Sequence, residues 1–257
     1  MDKSSFGGVI LAIAGITAGL LMEGGHLSQI LQPTAAIIVF GGTLGAVLLQ
    51  FPLGTVFSAF REIAHLFAAP RRQDDQLIQQ LIAFANKARR NGVVSLDADL
   101  ADIRDPFLKQ AVMLAVDGTE PADLRNIMQV SLDSSTEIDE RLPAVFESAG
   151  GFSPTIGILG AVLGLIQVMQ HLDNITEVGR GIAVAFVATI YGVGIANLFF
   201  LPMAGKMRLR LRDEVKRCEM MLEGVISILE GMNPRMLEVK LAGFVERTAH
   251  EKQERAA

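Results

Sequence analysis

The 257-residue sequence has no tryptophan, one cysteine and no surplus of positive charge. A lone thiol, Cys218, excludes an internal disulfide framework and any multi-cysteine metal centre. The formal net charge of -5 withholds the basic face that nucleic acid requires. No nucleotide-binding loop, metal-ligand cluster or nucleophile–base constellation stands out, so the chain does not read as an enzyme and no cofactor is expected. The most informative absence is local. Four stretches, 4–22, 24–60, 148–172 and 181–205, contain no Asp, Glu, Lys or Arg. Half of all residues are hydrophobic and the mean hydropathy is +0.38, too high for an ordinary water-soluble domain. The 20% of charged residues is too high for a bare bundle of membrane helices. The chain is therefore expected to be part embedded in lipid and part in water.

A membrane-spanning helix needs about 20 mostly apolar residues. Each charge-free stretch can supply one, and spans are expected near 5–22, 34–51, 153–171 and 181–201. The second stretch has room for two, but Gln29, Gln32 and Pro33 interrupt its first half and Pro52 marks its end. The first stretch follows Met1-Asp2-Lys3 as a signal peptide would. A signal peptide's apolar core is only about 7–15 residues long, and further spans follow here, so the first is read as a retained helix.

Lysine and arginine in the flanking loops set the orientation. Segments 23–33 and 172–180 hold Arg180 against Glu23, Asp173 and Glu177. Arg61, Arg71 and Arg72 follow span two, and Lys206, Arg208, Arg210, Arg212, Lys216 and Arg217 follow span four. Both termini and the long middle loop are thus expected in the cytosol, a reducing compartment that suits an unpaired cysteine. The expected organisation is 1–60 for spans one and two, 61–147 for a cytosolic helical domain, 148–205 for spans three and four, and 206–257 for a cytosolic helical tail. The fold class is all-α, a polytopic membrane protein.

The cytosolic pattern is helical, without the alternation of a sheet. Residues 74–91 place Leu77, Ile78, Leu81, Ile82 and Ala85 on one face, with Gly92 as the C′ residue. Ser95 can cap a short helix over 96–103 with Asp97 and Asp99 in its first turn, and Thr119 with Pro121 can start a long helix leading to span three. After span four, Leu211, Val215, Cys218, Leu222, Val225 and Leu229 form a heptad-like seam, which makes Cys218 a buried structural thiol. Gly231 and Asn233-Pro234 break that helix, and a last one is expected to about Ala249. The basic residues 206–217 suit anionic lipid.

Small and polar residues recur inside the spans. Span three carries Gly157, Gly160, Gly164, Gln167 and His171; span four carries Ala185, Thr189, Gly192 and Ala196. Tight helix packing accounts for the glycines. The Thr189 hydroxyl could equally bond across a helix contact or serve an ion path. Pro154 and Pro202 read either as helix boundaries or as a hinge pair. Ion relays through lipid generally use an intramembrane carboxylate or histidine. No carboxylate lies deep in any span, and His26 and His171 lie near the outer rim. If the chain helps to conduct an ion, the titrating group must come from a membrane partner bearing an Asp or Glu.

The layout of two spans, helical loop, two spans and basic tail, with the run Ala185-Phe186-Val187-Ala188-Thr189-Ile190-Tyr191-Gly192-Val193-Gly194 leading to Pro202, resembles the MotA/PomA family. These are the A subunits of the bacterial flagellar stator. Gly150-Gly151-Phe152-Ser153-Pro154-Thr155-Ile156-Gly157 is similar to the family's start of span three, and Met22-Glu23-Gly24-Gly25-His26-Leu27 to the variant called MotC. The resemblance implies a MotB-type partner that supplies a membrane Asp, with several A subunits, thought to be five, around a B dimer. It implies an inner-membrane ion channel that drives rotation by pushing the rotor C-ring through FliG. By the same resemblance Pro154 and Pro202 are functional prolines and Thr189 borders the ion path. Arg89, with neighbouring Arg90, and Asp97 correspond to the rotor-contact charges, although the family more often has Glu at the acidic position. The helix dipoles offer another reason for the same charges: Lys87, Arg89 and Arg90 would end one helix and Asp97 begin the next. Sodium-type members tend to carry threonines where this chain has Ala161 and Ala188, so a proton is the expected ion. Alternatives are an ExbB/TolQ-like ion-driven energiser of envelope transport, which usually has three spans, and a stand-alone transporter or channel, against which the missing carboxylate argues.

Overall fold

The computed structural model describes residues 3–66 and 74–245, and no strand occurs among them. The helices are α1 (Lys3–Met22), α2 (Pro33–Gln50), α3 (Leu53–Leu66), α4 (Asp74–Asn91), α5 (Pro106–Val116), α6 (Pro121–Asp139), α7 (Arg141–Gln170), α8 (Ile175–Ile195), α9 (Leu201–Leu229) and α10 (Pro234–Leu241). A π turn, Ala196–Phe200, makes α8 and α9 one uninterrupted helix, Ile175–Leu229. Arg71, Arg72 and the stretch beyond 245 lie outside the described residues; the last helix, expected to run to about Ala249, already ends at Leu241 and gives way to turns over 242–244. Two compact units form: Met1–Ala69 with Asp139–Leu209, and Pro70–Ile138 with Arg210–Ala257. The divisions expected from sequence at 60/61, 147/148 and 205/206 fall inside α3, α7 and α9.

The first unit holds the apolar helices. Three helical stretches are long and apolar enough to cross a membrane: Pro33–Gln50, and parts of Pro121–Gln170 and Ile175–Leu229. Helix α1 adds 20 residues and buries none of its described ones, with Leu11 and Met22 left 75% and 89% exposed. Aliphatic side chains exposed on that scale fit hydrocarbon or a neighbouring helix rather than water. Helix α2 starts with Pro33 at its first turn, where the missing N–H costs nothing. It buries Ala35, Val39, Thr43 and Val47, one every four residues, while Ile37 and Leu49 on other faces stay exposed. It ends at Gln50 because Phe51 precedes Pro52 and is driven to extended backbone (φ -122, ψ 144). Helix α3 is amphipathic and buries Val56, Ala59 and Leu66 against Val145, Phe146 and Ala149 of α7 and Met203, Ala204 and Met207 of α9. Phe146 is fully buried, with Phe60 edge-on at 5.2 Å and Phe199 and Phe200 each at 6.4 Å.

The second unit is a water-type core built on the C-terminal half of α9. Cys218, Leu222 and Val225 are buried as the heptad pattern predicts, but so are Met220, Met221, Ile226 and Ile228. Burial nearly all round is the mark of a central helix; Leu77, Leu81, Leu108, Leu124, Met128, Leu237 and Leu241 join the same core. Gly224 lets Leu81 approach to where a Cβ would meet it at 2.8 Å. Ion pairs clamp the rim: Arg125–Glu223 at 2.7 Å, Lys240–Glu223, and Arg217–Asp105 at 3.4 Å. Asp105 also caps α5, accepting from the Phe107 and Leu108 N–H groups at 3.0 and 3.2 Å. Helix α9 ends as the sequence indicates, at Gly231 (φ +72), whose conformation lets the Met232 N–H reach the Ser227 carbonyl at 2.9 Å.

Two expectations are corrected in this unit. Thr119 does not cap α6: its N–H donates to the Leu114 carbonyl at 3.1 Å and closes α5, while Pro121 does begin α6. No α-helix covers 96–103; the seven residues Val93–Asp99 form a 3₁₀ helix, and the Ser95 hydroxyl donates back to the Gly92 carbonyl at 2.6 Å.

Candidate functional site

Helices α7 and α8 meet along their glycines with backbone on backbone. A Cβ on Gly157 would stand 2.9 Å from the Ala188 carbonyl oxygen and 3.1 Å from the Gly192 Cα. One on Gly164 would meet the Gly181 oxygen at 2.8 Å and the Ala185 nitrogen at 2.9 Å. Ser153, fully buried, donates its hydroxyl to the Gly192 carbonyl at 3.1 Å across the same seam. The glycines therefore do what close helix packing asks of them.

The seam has two edges, and helix register sorts the candidate residues between them. At about 100° per residue, Pro154 and Ala161 of α7 and Thr189 of α8 turn to the same edge, each half-buried. Past that edge lie Ile158, Leu165 and Phe186, each more than 50% exposed. Gly160 and Ala188 turn to the opposite edge, which α2 covers. A Cβ on Gly160 would meet Ile38 at 3.3 Å and Ala188 at 2.8 Å, and Ala188 is fully buried with Ala35 and Val39. Pro154, Ala161 and Thr189 thus share an open edge, and Ala188 lies behind it. The Thr189 hydroxyl donates to the Ala185 carbonyl at 3.2 Å, which commits its proton and leaves its oxygen able to accept another.

Neither proline is a helix boundary. Pro154 lies inside α7. Pro202 lies inside Ile175–Leu229, and the π turn immediately before it is the accommodation. A proline ring clashes with the carbonyl four residues back, here that of Leu198. The Leu201 N–H instead reaches the Ala196 carbonyl, five residues back, so the ladder is widened where the ring needs room. Sequence reasoning also passed over Tyr191. Its hydroxyl donates to the Ile30 carbonyl at 2.6 Å and accepts from the Gln32 N–H at 3.4 Å, tying the α1–α2 loop to α8. The signal was present: a phenol in an aliphatic run needs a partner for its hydroxyl.

In the second unit, Arg89 and Arg90 occupy the last turn of α4, where they complement the dipole. Asp97 does not start an α-helix; it belongs to the 3₁₀ turn, and the dipole reason for it does not apply. Arg89, Arg90 and Asp97 are exposed and make no ion pair or side-chain hydrogen bond among the described residues. Their neighbours Lys87 and Asp99 pair at 2.7 Å. Cys218 is buried, and burial first, then the charges of Glu214 and Asp105, push its thiol up to about 12. Within the basic stretch of α9, Arg208 pairs with Glu147 at 2.5 Å and Arg217 with Asp105 and Glu214.

Residues 99–220 match the MotA/TolQ/ExbB proton channel family, and residues 6–92 match the N-terminal region of motility protein A. Motility protein A of Bacillus subtilis is 37% identical over 95% of this chain and 91% of its own length. The chain belongs to the motility protein A family. The likeness extends to solved structures. The chain in the flagellar MotAB stator complex from Bacillus subtilis is 35% identical, with a TM-score of 0.89 over 100% of both chains. The chain in C. jejuni MotAB is 32% identical, with a TM-score of 0.89 over 96% of this chain and 97% of that one. The all-α membrane architecture and the α7–α8 seam are therefore to be read as those of a stator subunit family.

Proposed function

We propose that the chain is the A subunit of a flagellar stator in the bacterial inner membrane, forming with a MotB-type partner an ion channel that turns the rotor. The observation that carries this reading is an incomplete path. Pro154, Ala161 and Thr189 border an open edge of the α7–α8 seam, yet 148–172 and 181–205 contain no carboxylate to carry a proton past them. A second chain bearing a membrane Asp completes it. The family's proton-channel description and the likeness to MotAB stator subunits support the same conclusion. Four spans, with α1 as the first and both termini in the cytosol, a ring of five such chains around a B dimer, and contact with the rotor protein FliG through Arg89, Arg90 and Asp97 complete the reading.

The transported ion is a proton. Of the two alanines standing where sodium-type members tend to have threonine, Ala161 borders the open edge and Ala188 is covered by α2, so Ala161 is the one that bears on the choice of ion. Without a hydroxyl there, the edge offers fewer oxygens to replace a sodium ion's hydration shell, whereas a proton needs only water and the partner's carboxylate. The test is ion flux in vesicles: acidification is expected when this chain and the B-type partner are both present, and is lost when the partner's membrane Asp is replaced by Asn. Flux from this chain alone would refute the incomplete-path reading. Torque that collapses when sodium is withdrawn at fixed pH would refute the choice of ion.

A further inference from the structure

In a 3₁₀ helix, side chains three apart eclipse one another, and this sorts Val93–Asp99 into rows. Val93, Leu96 and Asp99 make the inward row: Leu96 is 1% exposed, Val93 packs partly buried on the same core, and Asp99 is held by Lys87 at 2.7 Å. Val94 and Asp97 make an outward row. Val94 is 71% exposed beside an acid with no partner among the described residues. Lys87 lies two and three residues before Arg89 and Arg90, so the Lys87–Asp99 pair joins the last turns of α4 to the end of the 3₁₀ helix. It satisfies the one acid that faces inward and leaves Arg89, Arg90 and Asp97 uncommitted.

We infer that Val94 is the apolar contact of the rotor-facing surface, that it docks with Asp97 as one ridge, and that Lys87 and Asp99 are the positioning pair that presents that ridge. This rests on the rotor-facing reading of Arg89, Arg90 and Asp97. The matching partner surface bears charges of both signs around a small apolar socket. Charges of both signs left unneutralised suit a partner with complementary charges, which gives specificity and rate. An exposed valine among them offers the desolvated centre that charged rims lack.

The experiment uses the full chain as the sole A subunit in cells, reading stall torque, with membrane abundance and recovery with the B-type partner as controls. Val94→Asp is expected to lower torque by about tenfold or more, as an uncompensated charge at an interface does. Val239→Asp, at a valine on α10 that is likewise 71% exposed, is expected to leave torque unchanged. Lys87→Asp is expected to abolish torque and the double variant K87D/D99K to restore it, a rescue that follows from the pair and not from either residue. If Arg89→Glu with Arg90→Glu leaves rotation intact, the rotor-facing reading itself fails. If that double reversal stops rotation while Val94→Asp behaves like Val239→Asp, the reading stands and the Val94 inference is overturned. Failure of K87D/D99K to recover torque overturns the role of the pair.

Discussion

Gly192→Ala tests the α7–α8 seam directly. The added Cβ would collide with the Ser153 carbonyl oxygen and stand 3.0 Å from the Gly157 Cα and 3.3 Å from its nitrogen. Carbon atoms pack at about 3.5–4.0 Å, and these neighbours are helical backbone that no rotamer change can move. The helices must therefore separate by roughly half an ångström to an ångström. Overpacking of this kind costs about 1–3 kcal/mol. Separation also stretches the 3.1 Å bond from the Ser153 hydroxyl to the Gly192 carbonyl. An interhelical hydrogen bond within a membrane is worth about 0.6 kcal/mol on average. Together these come to about 2–4 kcal/mol, or a shift of roughly 30- to 1000-fold in the packed-to-separated ratio at 1.4 kcal/mol per tenfold. Gly179→Ala and Gly194→Ala are matched controls on the same helix, because a Cβ at either has nothing within 4 Å. There alanine's helix propensity should stabilise by up to about 1 kcal/mol. Thermal unfolding of the detergent-purified chain, followed by circular dichroism, measures all three. Equal midpoints for Gly192→Ala and the two controls would refute the close-packing account.

Three further outcomes follow from named contacts. Phe146→Ala removes a fully buried ring from the Phe60, Phe199 and Phe200 cluster and should cost about 3–5 kcal/mol, read as a lower unfolding midpoint. Burial raises the Glu223 carboxyl, but the hydrogen bonds and charges of Lys240 and Arg125 outweigh it and leave the group below its usual 4.5. Its stabilisation is therefore present above pH 4.5 and is lost as pH falls through the lowered value; Glu223→Gln should flatten that acid limb of a melting-versus-pH curve. Because burial pushes the Cys218 thiol from 9.0 to about 12, maleimide should label it at neutral pH in unfolded but not in folded protein, and rapid labelling of the folded chain would contradict its burial. The neutral thiol favours the fold below pH 9, and that contribution fades as pH rises from 9.0 toward 12.

Much of the site was legible because its signals are local. Small residues recurring at Gly157, Gly160 and Gly164 and at Ala185 and Gly192 announced a close seam, and the structure places backbone against backbone there, with Gly181 joining it. Gly92 and Gly231 both adopt positive φ at helix ends, as the breaks in periodicity indicate. The failures have physical causes too. Ser95 and two aspartates look like a capped first turn, but Leu96 and Val93 gain a core when eclipsed at 3₁₀ spacing, and burial outweighed the cap. The seam on α9 was read as a stripe because heptad counting sees one face, whereas α9 is covered from several sides by helices distant in sequence. Pro202 read as a possible helix end because a sequence shows the clash but not the π turn that relieves it.

The sequence by itself determined the compartments and the missing part. Charge is too costly in hydrocarbon to be scattered, so its absence from four stretches marks the apolar helices, three of them long and apolar enough to cross a membrane, and the absence of a carboxylate calls for a partner. Tertiary structure alone decided which residues share a surface. Thr189 and Ala188 are neighbours in sequence, yet α2 packs on one edge of the seam and buries Ala188 while leaving Thr189 at the open edge. A helix turns by about 100° per residue, so adjacent side chains part company, and only the placement of a third helix settles which of them is left accessible.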